Sequence, residues 1–186
     1  MAIATETTTL APNEAIAAVT RVKATRIGFL SDDHNTRDDG GDLPAEGERV
    51  AGLTRVIEAG GFRIGAVHNL EKEPGPAIST PPAGLPKLDG IDVRAVLAEK
   101  FGGPVDIVAF ASTHREAAIL KDGVLFVNPG SPTFPKGRAA RVAGQRALGT
   151  VGVLDVTNGT AVFEVIHLGE IAAATQAGTP APAPKM

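Results

Sequence analysis

Apolar residues along this chain come in short runs separated by clusters of Gly, Pro, Asp and Asn. The run Ile27-Gly28-Phe29-Leu30, bounded by Arg26 and Ser31, is continuous, as expected of a strand buried in a parallel sheet. Gly60-Gly61 divides "RVIEAGGFRIGAVHNL" into two β-type runs, the pattern of a hairpin. In "DGIDVRAVLAEKFGGP" the period becomes helical. Val93, Val96, Leu97 and Phe101 follow i, i+3, i+4, i+8 spacing, Asp89 is placed to cap, and Gly102-Gly103-Pro104 is a stop signal. "VDIVAFAS" then reads as another buried strand, so helix leads into strand as in a βαβ unit. "REAAIL" and "VLFVN" flank the turn Lys121-Asp122-Gly123, and "LGTVGVLDVTNGTAVFEVIHL" is a hairpin about Asn158-Gly159. The proline-rich stretch 71–88 has no period and predicts a loop. The fold class is α/β, with much of the second half antiparallel.

The ends differ from this body. Residues 1–24 are rich in Ala and Thr and are expected to form a poorly ordered extension, with a short amphipathic helix from Asn13 to Val22. Residues 170–186 are Ala/Pro-rich and read as a disordered tail, which leaves one domain over 25–169. A net charge of −3 offers no basic surface to nucleic acid. No run approaches the roughly 20 apolar residues of a membrane span. The N-terminus lacks the basic flank and apolar block of a secretory signal, so the expectation is a cytoplasmic protein without membrane partners. The absence of cysteine excludes disulfides and thiolate ligands, so any metal falls to carboxylates, imidazoles and carbonyls. Tyr and Trp are also absent, which leaves only phenylalanine for flat stacking contacts.

Candidate chemistry begins at "FLSDDHNTRDDGGD", Phe29 to Asp42. Asp and Gly are what turns require, so these residues alone allow either a solvated acidic bend or a metal site. Three histidines share one topological position. His34, with Asp32, follows the first strand; His68 follows Phe62–Val67; His114 follows Val105–Ala111. In open α/β sheets ligands bind beyond the carboxyl ends of strands, where side chains from separate strands converge. His167 lies inside the last strand and reads as a packing residue.

"SDDH" at the end of the first strand, "GGFRIGAVHNL", and "FASTHREAAILKDGVLFVNPGSPTFPKG" together resemble the calcineurin-like metallophosphoesterases, in particular their small bacterial phosphodiesterase branch. Those proteins begin with strand-Ser-Asp-x-His. They end with Gly-His-Thr-His, a short hairpin and Asn-Pro-Gly-Ser-Pro. The resemblance implies a two-sheet sandwich flanked by helices. It also implies metal ligation by Asp32, His34 and His114, with His68 nearby. His68 and Ser112 take the positions of catalytic groups, and Asn35, Asn128 and Ser131 those near phosphate. As a turn, Asn128-Pro129-Gly130-Ser131-Pro132 equally suits a structural role, with Asn128 and Ser131 bonded to backbone.

The departures change what is implied. The Gly-Asp carboxylate that bridges two metals in the family has no counterpart. About 35 residues, roughly one βα unit, are missing between Asp32-Asp33-His34 and the following Asp-rich loop. Ser112 stands where the family has a histidine. The expected site therefore holds one divalent ion (Mn, Fe or Zn) rather than two, with Asp33, Asp38 or Asp39 available as a replacement ligand. Hydrolysis of a phosphoester, of phosphodiester type, is expected to be weak, because one ion cannot clamp both attacking and leaving oxygens. The alternative is a non-catalytic scaffold that retains the fold. A sheet shortened by one unit also exposes apolar neighbours. They would be covered by the N-terminal segment, by a replacement strand from "GERVAGLTRVIEAGG", or by a homo-oligomer or other protein complex.

Overall fold

The structure, a computed structural model, describes residues 6–8, 19–21, 26–31, 54–73, 75–81, 85–136, 148–157 and 159–169. Two sheets and one helix make up these residues. β1 (Glu6–Thr8), β2 (Val19–Arg21), β4 (Thr54–Ala59), β5 (Phe62–Val67), β6 (Ile107–Phe110), β7 (Glu116–Lys121) and β8 (Val124–Pro129) form a seven-stranded sheet. Its order is β1-β2-β4-β5-β6-β8-β7. β3 (Arg26–Phe29), β9 (Thr150–Thr157) and β10 (Thr160–His167) form a second sheet in the order β10-β9-β3. β5, β6 and β8 are mutually parallel, while β4 and β7 run antiparallel to their neighbours β5 and β8. The architecture is an α/β two-sheet sandwich.

Local chemistry explains the elements. Gly60 and Gly61 both have positive φ, 57° and 85°, which suits the two-residue turn between β4 and β5. Asp122 and Gly123, at 49° and 74°, do the same between β7 and β8. The helix α1 (Val93–Phe101) starts where the Asp92 carboxylate accepts from the Ala95 N–H at 3.0 Å. It stops at Gly102, whose left-handed φ of 65° ends the helix, and the Gly103 N–H then reaches the Ala98 carbonyl at 2.7 Å. α1 connects β5 to the parallel β6, the expected βαβ unit.

Alternation along β6 builds two cores. Val108 and Phe110 face α1, whose Val93, Leu97 and Phe101 are buried against them with Phe126. Ile107 and Ala109 face the second sheet, packing with Ile64, Val127, Leu154 and Val156. A strand covered on both faces needs apolar residues at every position, which is why "IVAF" shows no alternation. The Phe101 ring lies over Gly65, where a Cβ would come within 2.8 Å.

Three expectations need correction. The first strand is not in the parallel sheet: β3 pairs antiparallel with β9, and its residues alternate between exposed and half-buried. Ile27 and Phe29 pack inward and Arg26 reaches Asp155 at 3.5 Å, so a one-sided strand hides within a run that includes Gly28 and the exposed Leu30. The helix is capped by Asp92, because Asp89 is turned instead toward Lys121 at 3.1 Å. The helix expected over Asn13–Val22 does not extend through Val19–Arg21, which is β2 and pairs parallel with β4. β2 and β4 also show that the N-terminal segment and the stretch 47–61 both contribute strands to the large sheet.

Candidate functional site

Because β5, β6 and β8 are parallel, their carboxyl ends share one rim of the large sheet. His68 follows β5, and its carbonyl accepts from the Ala111 N–H at 3.0 Å, which sets it level with the end of β6. One residue on, the Asn69 amide donates to the Ser112 hydroxyl at 2.9 Å, while its Oδ1 accepts from the Glu71 and Lys72 N–H groups. The chain then turns sharply. Ser112 and His114 have φ of 67° and 59°, a left-handed backbone that costs non-glycine residues of order 1–3 kcal/mol each. Strain of this kind persists where surrounding bonds impose it.

Those bonds come from the segment after β8. His114 is buried, and its Nδ1 lies 2.9 Å from the Phe134 carbonyl oxygen. A carbonyl only accepts, so the ring carries its proton on Nδ1, and in the neutral imidazole the lone pair is on Nε2, the atom suited to a cation. The Lys136 N–H donates to the His114 carbonyl at 2.9 Å. Thr113 Oγ1 accepts from the Asn128 amide at 3.1 Å.

Asn128 and Ser131 are both fully buried. Asn128 Nδ2 donates to the Ala111 carbonyl at 3.3 Å as well as to Thr113, and its Oδ1 accepts from the Gly130 N–H at 2.9 Å. Ser131 Oγ accepts from the Phe134 N–H at 2.9 Å. The Asn-Pro-Gly-Ser-Pro turn is thus the clamp that shapes the His114 loop. The second sheet meets it at the same place, since Ser31 Oγ donates to the Gly130 carbonyl at 2.8 Å.

His68, Ser112, His114, Asn128 and Ser131 are therefore brought to one rim, and Ser31 arrives there immediately before Asp32. Asp32, His34 and Asn35 themselves, with Asp33, Asp38 and Asp39, lie outside the described residues. Among the described residues no three His, Asp or Glu side chains gather as a metal-binding group. His68 and His114 supply imidazoles, so the donor set fits a divalent cation only together with the Asp32–His34 segment. His167 ends β10 across from Thr150. Sequence reasoning missed Asn69, Thr113 and Phe134. "NPGSPTFP" carried a signal for Phe134, since an apolar ring in a proline-bounded turn has no periodic reason to be there.

No family model matches the chain, and no curated protein does. It is similar to solved structures of low identity. One is TM1076 from Thermotoga maritima, at 24% identity and TM-score 0.37, covering 62% of this chain and 54% of that one. A second is Vps29 from Entamoeba histolytica complexed with Zn2+, at 19% identity and TM-score 0.31, covering 67% of each chain. A third is a novel archaeal phosphodiesterase, at 18% identity and TM-score 0.32, covering 61% and 51%. The chain spans about half the length of the first and third. These neighbours have the calcineurin-like metallophosphoesterase fold that the motifs resemble.

Proposed function

We propose that this protein holds one divalent cation at the shared strand rim and binds phosphoesters there, hydrolysing phosphodiesters weakly. Asp32, His34 and His114 would be the ligands, with His68 beside them. The observation that carries this reading is the Ser31–Gly130 hydrogen bond, which joins the strand leading into Asp32 to the turn that clamps His114. The cation (Mn, Fe or Zn) would supply Lewis-acid polarisation of a phosphoryl oxygen. Ser112 can donate a hydrogen bond to such an oxygen, but a hydroxyl does not provide the proton that an imidazolium would at neutral pH. Weak turnover follows from that difference.

Elemental analysis of purified protein tests the site. About one ion per chain is expected, falling at least tenfold in both Asp32→Ala and His114→Ala. Sub-stoichiometric metal that ignores both substitutions would refute it.

A second reading, a scaffold in a protein complex or homo-oligomer, is favoured by β7. Among the described residues it ends the large sheet, and Leu120 on it is 74% exposed. Open edges of this kind invite pairing. Metal-dependent turnover of bis(p-nitrophenyl) phosphate that disappears in His34→Ala would exclude a purely structural role. Among the described residues no helix is long and apolar enough to cross a membrane.

A further inference from the structure

The seven phenylalanines of this chain divide unequally. Phe101, Phe110 and Phe126 are buried, and Phe29, Phe62 and Phe163 are half-buried in the sandwich core. Phe134 alone is exposed, at 45%. Core packing therefore accounts for six of the rings and not for this one.

Its backbone is fixed all the same. The Phe134 N–H donates to the buried Ser131 hydroxyl at 2.9 Å, and its carbonyl receives His114 Nδ1 at 2.9 Å. Pro135 follows and biases Phe134 toward extended backbone. The next N–H, from Lys136, donates to the His114 carbonyl. An aromatic residue is thus held at both of its peptide groups, by Ser131 at the N–H and by the candidate ligand histidine at the carbonyl, while it stays exposed. Rings held this way lose little freedom on contact with a ligand, the condition under which aromatic stacking adds to affinity.

We propose that Phe134 is a specificity-determining residue of this site, an aromatic platform that selects phosphoesters carrying a flat aromatic group over those with small alkyl groups. Lys136, whose side chain is also exposed, places a cation on the same segment, in keeping with an anionic ester. The inference rests on the proposed function and names the substrate class for it.

Calorimetric titration of the full chain with Mn2+ present tests both, using bis(p-nitrophenyl) phosphate, dimethyl phosphate and inorganic phosphate as separate probes. The wild type should bind the aryl diester more tightly than the dimethyl ester. Phe134→Ala should weaken the aryl diester by roughly two- to twelve-fold, the range of an aromatic contact, and leave inorganic phosphate unchanged. Phe134→Leu, which keeps an apolar side chain, should lose most of the same preference. The chain has no tryptophan, so Phe134→Trp adds a unique fluorophore that the aryl diester, and not inorganic phosphate, should perturb. If the wild type binds phosphate but treats the two diesters alike, the platform is refuted while the site stands. If Phe134→Ala weakens phosphate as much as the aryl diester, the ring only supports His114 and the proposal again fails. If none of the three probes binds, the site and the platform fall together.

Discussion

Asn128 is the residue on which the rim geometry most depends. Its amide satisfies the Gly130 N–H, the Ala111 carbonyl and Thr113 Oγ1, and no part of it is exposed. Asn128→Ala leaves those groups buried without it, so a loss of about 2–3 kcal/mol is expected in denaturant unfolding. Asn128→Asp should be no better, because it sets an acceptor against the Ala111 carbonyl. Thr150 is the converse case. Its Oγ1 is buried with no hydrogen-bond partner among the described residues, so a hydroxyl is held there unrewarded. Thr150→Val should be neutral or stabilising by up to about 1 kcal/mol. A clear destabilisation in the same assay would mean that the hydroxyl bonds an internal water. "NPGSP" was legible in the sequence as a tight turn. The partners of Asn128 were not, since they lie on a loop that only the β6–β8 register brings alongside.

The one described helix shows how a local rule succeeds in kind and misses in place. Period and stop signal marked α1 correctly, yet Asp89 and Asp92 are equally good caps by residue type. What separates them is tertiary: Asp89 pairs with Lys121 on β7, raising the pKa of that lysine mainly through the hydrogen bond. For β3 the error has the opposite origin. A continuous apolar run is ambiguous between two buried faces and one, and its pairing with β9 was invisible at that range. The helix also carries a feature no periodicity announces, the fully buried Lys100, whose Nζ donates to the Glu73 carbonyl at 3.2 Å. Burial lowers its pKa below the usual 10.5, with Glu73 opposing. Below that folded value the cost of burying the charge is present in full. Between it and 10.5 the unfolded chain holds more protons, so this lysine makes stability rise with pH. Lys100→Met should remove that alkaline rise and be neutral or stabilising at neutral pH, as read from urea midpoints across the range. An unchanged slope would mean that the folded lysine keeps its ordinary affinity for protons.

At the scale of the whole molecule, the two sheets must be locked together at one rim if the site is to exist. The sequence placed histidines after three strands, and two of those strands, β5 and β6, are parallel, so His68 and His114 come to one rim, while His34 lies outside the described residues. It did not show that the first of those strands belongs to the other sheet. The proposed convergence of Asp32 with His114 therefore depends on how the sheets dock, and Ser31 bridges them there through its bond to Gly130, beside the backbone bond from the Thr150 N–H to the Ser131 carbonyl at 3.0 Å. Ser31→Ala removes one partly buried hydrogen bond, worth about 1 kcal/mol of stability. Its effect on metal affinity should be larger, about tenfold or more, as for other groups that orient ligands without touching the ion. The two measurements separate the possibilities. A fall in affinity with near-native unfolding identifies Ser31 as a positioning residue for a site shared between sheets. Unaltered affinity with the same small loss of stability would show that the Asp32 segment finds its place without this contact. Docking would then be set by the apolar interface of Ile64, Val127, Leu154 and Val156 together with the backbone bonds from Gly149 and Thr150 to the Ser131–Pro132 turn.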